Sequence, residues 1–144
     1  MKKIACFVPI KHNSKRVVGK NLRTLGDKPL YRHTLDIVKN MKCFADVYVD
    51  TDSDIIIDYC NQNDIKTIER IPELLEDSAT GNDLFAHWIK TKPNYDIYYQ
   101  VHVTCPFMTE KSIQGCVDAL VENDEYDSVF SAIEEKSWYW FDGK

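Results

Sequence analysis

The sequence predicts a single three-layer α/β/α domain with a mainly parallel sheet. Three observations lead there: one continuous apolar run near the start, an alternation of strand-like and helix-like segments after it, and an ordinary soluble composition. Ile4–Ile10 (IACFVPI) is bounded by charged residues, the form of a parallel strand covered on both faces. Alternation then gives the order βαβαβαβαβ, which implies right-handed crossovers, helices on both faces, and a ligand site beyond the carboxyl ends of the strands. The 144 residues are 44% hydrophobic and 28% charged, with five Gly and five Pro. Collagen-like, disordered and coiled-coil readings are thereby excluded.

Each element has its own signal. After the first strand a polar, basic stretch runs from Lys11 to Lys28, and Pro29 opens a segment in which Leu30, His33, Thr34, Ile37, Val38 and Met41 recur at helical spacing. Asp46–Asp50 (DVYVD) reads as the second strand, and Asp52 or Ser53 as the cap of a helix through Ile55–Asn63. Lys66–Glu69 is a short third strand and Arg70–Thr80 a loop. Gly81–Lys90 reads as a helix, Asp96–Val103 as a fourth strand, Thr109–Glu122 as a helix and Ser128–Ala132 as a fifth strand. The closing stretch Ser137–Lys144 (SWYWFDGK) is dense in aromatics, which a shortened chain or an interface would explain.

Charge narrows the function. The net charge of -5 argues against general nucleic-acid binding, yet residues 1–42 carry 11 Lys/Arg against only Asp27 and Asp36. No apolar run approaches the ~20 residues that cross a bilayer, and the mean hydropathy is -0.40. Five scattered cysteines (Cys6, Cys43, Cys60, Cys105, Cys116), without a C-x-x-C pair or signal-peptide pattern, read as reduced thiols of a cytoplasmic protein.

The densest basic stretch follows the first strand: Lys11, Lys15, Arg16 and Lys20 share a loop with Ser14, Gly19 and Asn21. Four cations within ten residues repel one another, so a fold that gathers them gains from a polyanion the size of a nucleoside triphosphate. Gly19 would let backbone approach phosphate oxygens. The sequence contains neither G-x-x-x-x-G-K-S/T nor G-x-G-x-x-G. A merely solvated basic loop is the alternative.

These residues resemble the acylneuraminate cytidylyltransferases (CMP-sialic acid synthetases), whose signature runs I-P-A-R-x-x-S-K-x-I/L-x-x-K-N and then R-x-L-x-G-K-P-L. Here it stands as Ile10-Lys11-His12-Asn13-Ser14-Lys15, Lys20-Asn21, and Arg23 to Leu30. Val49-Asp50-Thr51-Asp52 looks like the family's V-S-T-D, and Arg70-Ile71-Pro72-Glu73-Leu74 like its R-P-x-E-L. Asp77-Ser78-Ala79-Thr80 looks like its D-x-A-S/T loop, Thr104-Cys105-Pro106-Phe107 like its T-S-P-L, and Ser128-Val129-Phe130-Ser131 like its S-V-V-S.

The resemblance implies the Rossmann-like nucleotide-diphospho-sugar transferase fold and a nucleotidyltransferase. Such an enzyme joins CTP to a nonulosonic, sialic-type acid, giving CMP-sugar and pyrophosphate. Carried over residue by residue, Lys11, Ser14, Lys15 and Lys20 hold the triphosphate, and Lys11 and Lys20 act in catalysis by neutralising the leaving pyrophosphate. Ile10 and Asn21 lie at the nucleoside, while Arg70, Ala79, Thr80 and Gly81 read the base. His102 stands where the family has a sugar-contacting glutamine, though it could equally occupy a half-buried sheet position. Mg²⁺ is expected between phosphate oxygens, with no ligands identifiable. Metal-binding aspartates, further sugar contacts and a dimerisation segment lie downstream of Lys144 in the family pattern, so an incomplete enzyme and a homodimer are both expectations of the resemblance.

Lys11 replaces the family's arginine, Cys105 its serine and Met108 a further arginine. These departures leave two alternatives beside the sialic-type acceptor: a nucleotidyltransferase for a different sugar, and a truncated, catalytically inert nucleotide-binding paralogue. Asp50 and Asp52 could ligate a metal, but a helix cap is the preferred reading. Cys105 is taken as structural, His33 and His87 as helix-face residues, and Lys2 and Lys3 as a solvated N-terminus.

Overall fold

A computed structural model describes residues 2–138 and 140 of the chain. The remaining residues of the aromatic stretch, 139 and 141–144, lie outside the described residues. The elements are β1 (Ile4–Ile10), β2 (Thr24–Leu25), β3 (Lys28–Pro29), α1 (Leu30–Val38), β4 (Asp46–Thr51), α2 (Asp54–Gln62), β5 (Lys66–Glu69), α3 (Gly81–Thr91), β6 (Ile97–Gln100) and α4 (Glu110–Glu122). Short 3₁₀ turns occur at Lys20–Leu22 and Pro72–Leu74.

β1 organises the molecule because it is apolar on both faces. Ile4, Cys6, Val8 and Ile10 point to one side, where Tyr31, Leu35 and Val38 of α1, Ile56 and Cys60 of α2, and Ile113 and Val117 of α4 cover them. Ala5 and Phe7 point to the other side and meet Tyr48, Ile68 and Trp88 of α3. Phe7 stacks on Trp88 at 4.9 Å and on Tyr48 at 5.2 Å between ring centroids. Truncating such a fully buried ring costs about 3–5 kcal/mol. The expected three layers are therefore present, with three helices on one face and α3 on the other.

β1 pairs in parallel with β4, from Ala5↔Asp46 to Ile10↔Thr51, and with β6, from Ile4↔Ile97 to Phe7↔Gln100. β5 adds outside β4, giving the order β5-β4-β1-β6. The chain thus leaves β1 toward one edge and returns on its opposite flank. That reversal opens a crevice at the carboxyl ends of β1 and β6.

Three expectations are corrected. Residues 128–132 do not form a fifth strand: they carry no regular secondary structure and are mostly exposed, without sheet pairing among the described residues, so β6 is the sheet edge. A cavity of about 750 Å³ separates that segment from β6, lined by Tyr98, Gln100, Val117 and Phe130 among others. Its backbone therefore has no ladder to join. The first helix stops at Val38 instead of Met41, because Asn40 and Met41 donate to carbonyls only three residues back and tighten into turns. The fourth strand ends at Gln100, although the Val101 amide still reaches the Phe7 carbonyl at 3.0 Å. A small hairpin, β2 with β3, was not foreseen, and it turns through Gly26 at φ +67°.

No helix among the described residues is long and apolar enough to cross a membrane.

Candidate functional site

The crevice at the strand reversal is built from the loop after β1. A cleft of about 260 Å³ is lined by Lys11, Lys20, Asn21, Arg70, Leu84 and His102 among others. An adjoining cleft of about 270 Å³ shares Lys11, Lys20 and Asn21 and adds Ser14, Lys15, Arg16 and Asp77. The sequence motif is therefore folded into one basic depression rather than spread over a surface. Ile10, fully buried at the end of β1, fixes where the loop departs.

Side chains from β4 and beyond stitch this loop in place. Asp52 accepts the His12 amide at 2.6 Å, and His12 Nδ1 lies 2.9 Å from the Ser53 hydroxyl. Asn21 Nδ2 donates to the Lys11 carbonyl at 2.8 Å, which closes the loop across ten residues. Gly19 takes φ +63° at the entry to the 3₁₀ turn, a left-handed conformation that suits glycine. Lys11 Nζ donates to the Leu75 carbonyl, and Lys15 pairs with Asp77. These contacts fasten the backbone of the basic loop and engage two of its four cations, Lys11 and Lys15.

Asn21 leaves a telling remainder. Its residue is 6% exposed, and its Oδ1 has no hydrogen-bond partner among the described residues. A buried carbonyl oxygen of this kind costs free energy until a donor reaches it. It belongs to a side chain that lines both clefts, so a ligand donor there would relieve it.

Arg70 forms the floor. Its Nε donates to Asp50 Oδ1 at 2.5 Å and its Nη2 to the Asp50 carbonyl at 3.0 Å, while Trp88 Nε1 donates to Asp50 Oδ2 at 2.5 Å. Asp50 is fully buried. This corrects the cap reading: the carboxylate faces the α3 layer, not the helix that follows. Asp52 is no cap either, since it holds the His12 amide, and the N-cap position of α2 belongs to Ser53. Sequence reasoning missed the Asp50–Trp88 contact because 38 residues separate the pair and no local pattern links them.

His102 stands on the wall shared by the basic cleft and the larger cavity beyond β6. It lies past the end of β6 and is exposed, which corrects the half-buried sheet position, yet crowding by protein, and then the nearby Lys20 ammonium, hold its pKa below the usual imidazole value. Among the expected base-reading amides, Thr80 N–H donates to the Asp83 carboxylate at 2.8 Å in a capping box, and Ala79 N–H to the Glu76 carbonyl at 3.2 Å. Both are engaged internally. Gly81 lines the cavity beyond β6, while Leu84, one turn further along α3, reaches the basic cleft.

Elsewhere the picture is plainer. The five cysteines are free thiols, and Cys105 is exposed on a turn rather than packed as a structural residue. His33 caps a turn by contacting the Leu25 carbonyl at 2.8 Å. No group of three or more His, Cys, Asp or Glu able to hold a metal occurs among the described residues. The one carboxylate lining the second basic cleft, Asp77, is already paired with Lys15.

A parallel sheet with a basic, tethered crevice at its reversal point is the place where open α/β domains bind ligands. The match to known proteins is narrower. The chain belongs to the cytidylyltransferase family, whose model covers residues 5–138. It is 29% identical over 133 residues to the N-acylneuraminate cytidylyltransferase of Streptococcus agalactiae, spanning 90% of this chain and 32% of the relative. It is 32% identical over 122 residues to the 3-deoxy-manno-octulosonate cytidylyltransferase of Flavobacterium johnsoniae, spanning 85% of this chain and 48% of the relative. Among solved structures, CMP:2-keto-3-deoxy-manno-octonic acid synthetase complexed with CTP superposes with a TM-score of 0.70 at 20% identity, covering 84% of this chain and 48% of that one. The chain thus spans about a third to a half of the length of these relatives.

Proposed function

We propose that this chain carries the nucleotide-handling part of a cytidylyltransferase that activates a nonulosonic, sialic-type acid with CTP. The observation that supports it best is the single basic crevice in which Lys11, Lys20, Asn21 and the buried Arg70 converge. In the proposed reaction the anomeric hydroxyl oxygen attacks the α-phosphorus and loses its proton. The bond from that phosphorus to the bridging oxygen breaks, and pyrophosphate leaves. Catalysis is then positioning plus neutralisation of charge on the leaving group. Lys11, Ser14, Lys15 and Lys20 hold the triphosphate, with Lys11 and Lys20 facing the developing charge. Ile10 and Asn21 lie at the nucleoside, Arg70 at the base with Leu84 of α3 lining the same cleft, and His102 at the acceptor; Ala79, Thr80 and Gly81 would read the base only after the Ala79 and Thr80 amides leave their internal partners. Mg²⁺, if it binds together with the nucleotide, would help to neutralise the triphosphate charge that Lys11 and Lys20 face.

A second reading, a different sugar acid as acceptor, is favoured by His102, Cys105 and Met108, which replace the family's glutamine, serine and arginine. The relatives' names support it, since they cover both acylneuraminate and octulosonate acids. The proposed homodimer draws support from Phe130, Ile133 and Trp138, each at least 84% exposed; sedimentation velocity across a concentration series is expected to show self-association.

The deciding experiment is thermal denaturation with CTP, UTP, GTP or ATP, each with Mg²⁺. A ligand at about 100 times its Kd stabilises by roughly 2.7 kcal/mol, so a shift confined to CTP is expected. Pyrophosphate release with a panel of nonulosonic and octulosonic acids then separates the two acceptors. No shift with any nucleotide would overturn the proposal, and CTP binding without pyrophosphate release would leave an inert nucleotide-binding domain.

A further inference from the structure

Asp50 is a carboxylate sealed in the apolar layer under α3, and it survives there by using every acceptor it has. Oδ1 and the main-chain carbonyl receive Arg70, and Oδ2 receives the Trp88 indole. A buried charge needs this degree of satisfaction. The consequence falls on Arg70. Two of its three guanidinium nitrogens are pinned, so the plane of the group is set, while Nη1 makes no hydrogen bond among the described residues and the side chain lines the basic cleft. Trp88 is itself immobilised: it is fully buried, stacked on Phe7 at 4.9 Å with an interplanar angle of 11°, and crossed by Phe85 at 5.8 Å.

We propose that Trp88 and Asp50 are positioning residues for base choice, holding Arg70 so that its free edge favours the cytosine ring over uracil. The inference rests on the reading that this crevice takes a pyrimidine nucleotide. Cytosine presents O2 and N3 as adjacent acceptors, whereas uracil places an N–H donor at N3. A guanidinium donates only. Held in one plane, it meets two acceptors on cytosine and one acceptor beside an opposing donor on uracil. Free to swivel, it could settle on O2 of either ring, and the discrimination would fade. The sequence signals nothing of this, because Trp88 looks like one more apolar position of a helix.

The test is calorimetric binding of CTP, UTP and inorganic tripolyphosphate to the full chain and to two variants. Trp88→Phe keeps an aromatic ring against Phe7 but removes the indole N–H, and Asp50→Asn keeps the shape but removes the charge. Circular dichroism first establishes that each variant is folded; should Asp50→Asn fail to fold, Trp88→Phe decides alone. The expected result is a fall of about tenfold in the CTP-to-UTP affinity ratio, the size of one hydrogen bond to a charged group, with tripolyphosphate affinity unchanged. A folded Trp88→Phe variant that keeps the ratio would overturn the proposal. So would a parallel loss of tripolyphosphate affinity, the mark of a general structural defect. Wild-type chain that binds tripolyphosphate but treats CTP and UTP alike would overturn it while leaving the phosphate crevice standing. Wild-type chain that binds neither would instead remove the nucleotide reading beneath it.

Discussion

Lys15 and Asp77 are both largely exposed, so their pairing is a screened surface contact that a stronger anion can displace. Removing the competing carboxylate by Asp77→Asn is therefore expected to tighten CTP binding a few-fold at low salt, whereas Lys20→Ala weakens it about tenfold. Titration calorimetry at two ionic strengths checks both signs. His102 adds a pH dependence. Its folded-state pKa is lowered by crowding and by Lys20, so the ring is neutral at pH 7 and gains its proton only below the usual value near 6.5. The sign follows: stability falls as pH drops through that region, because the unfolded chain binds the proton more readily. CTP affinity moves the opposite way, rising as a further cation forms on the wall of the basic cleft, within the field of a bound triphosphate. Because the nucleotide's own phosphate titrates nearby, the measurement is the difference between wild type and His102→Gln across pH 5–8, and identical profiles would refute it. The motif around Lys11 and Lys20 was legible because it is local. The partners of Asp50 were not, since Arg70 and Trp88 lie 20 and 38 residues away.

At the scale of elements, strand and helix identities followed from period and punctuation, and the misses mark where tertiary context decides. Ser128–Ala132 has a strand's composition, but a strand exists only with a ladder, and β6 offers none to it across the intervening cavity. α4 begins with a side-chain cap: Thr109 Oγ1 accepts the Ser112 amide at 3.2 Å, so Thr109→Ala is expected to cost about 1 kcal/mol of stability while leaving nucleotide affinity unchanged. Denaturant unfolding with and without CTP tests that separation. α1 is locked to its neighbours through Asp36. Burial pushes that carboxyl up, but hydrogen bonds from Lys28, Tyr59 and Lys39 outweigh it and hold the carboxyl far below the ordinary range. A depressed carboxyl stabilises above its unfolded value and loses that contribution as pH falls below about 4. Asp36→Asn is accordingly expected to lower the melting temperature at pH 7 and to narrow the wild-type advantage as pH approaches 3.

Across the whole molecule, one strand sets the order of protection. Cys6 lies at the centre of β1, and Cys60 is equally buried in α2 with its thiol pushed up to about 12 by desolvation. Cys105 is exposed. Alkylation followed by mass spectrometry is expected to label Cys105 first and to reach Cys6 and Cys60 only at the rate of global opening; early labelling of Cys6 would contradict the central placement of β1. The tether from His12 to Asp52 and Ser53 has a last implication, which concerns speed. Because the cationic loop is already fastened to the end of β4, nucleotide capture requires no search through loop conformers, and the convergent ammonium groups create a focused field that draws a polyanion inward. Stopped-flow association should accordingly be fast, second-order in simple fashion and steeply slowed by added salt. Cutting the fastening with Asp52→Ala keeps every cation of the loop and removes one nearby carboxylate, so electrostatics alone would speed capture; a slower association would instead mark an encounter governed by how seldom the loop assembles.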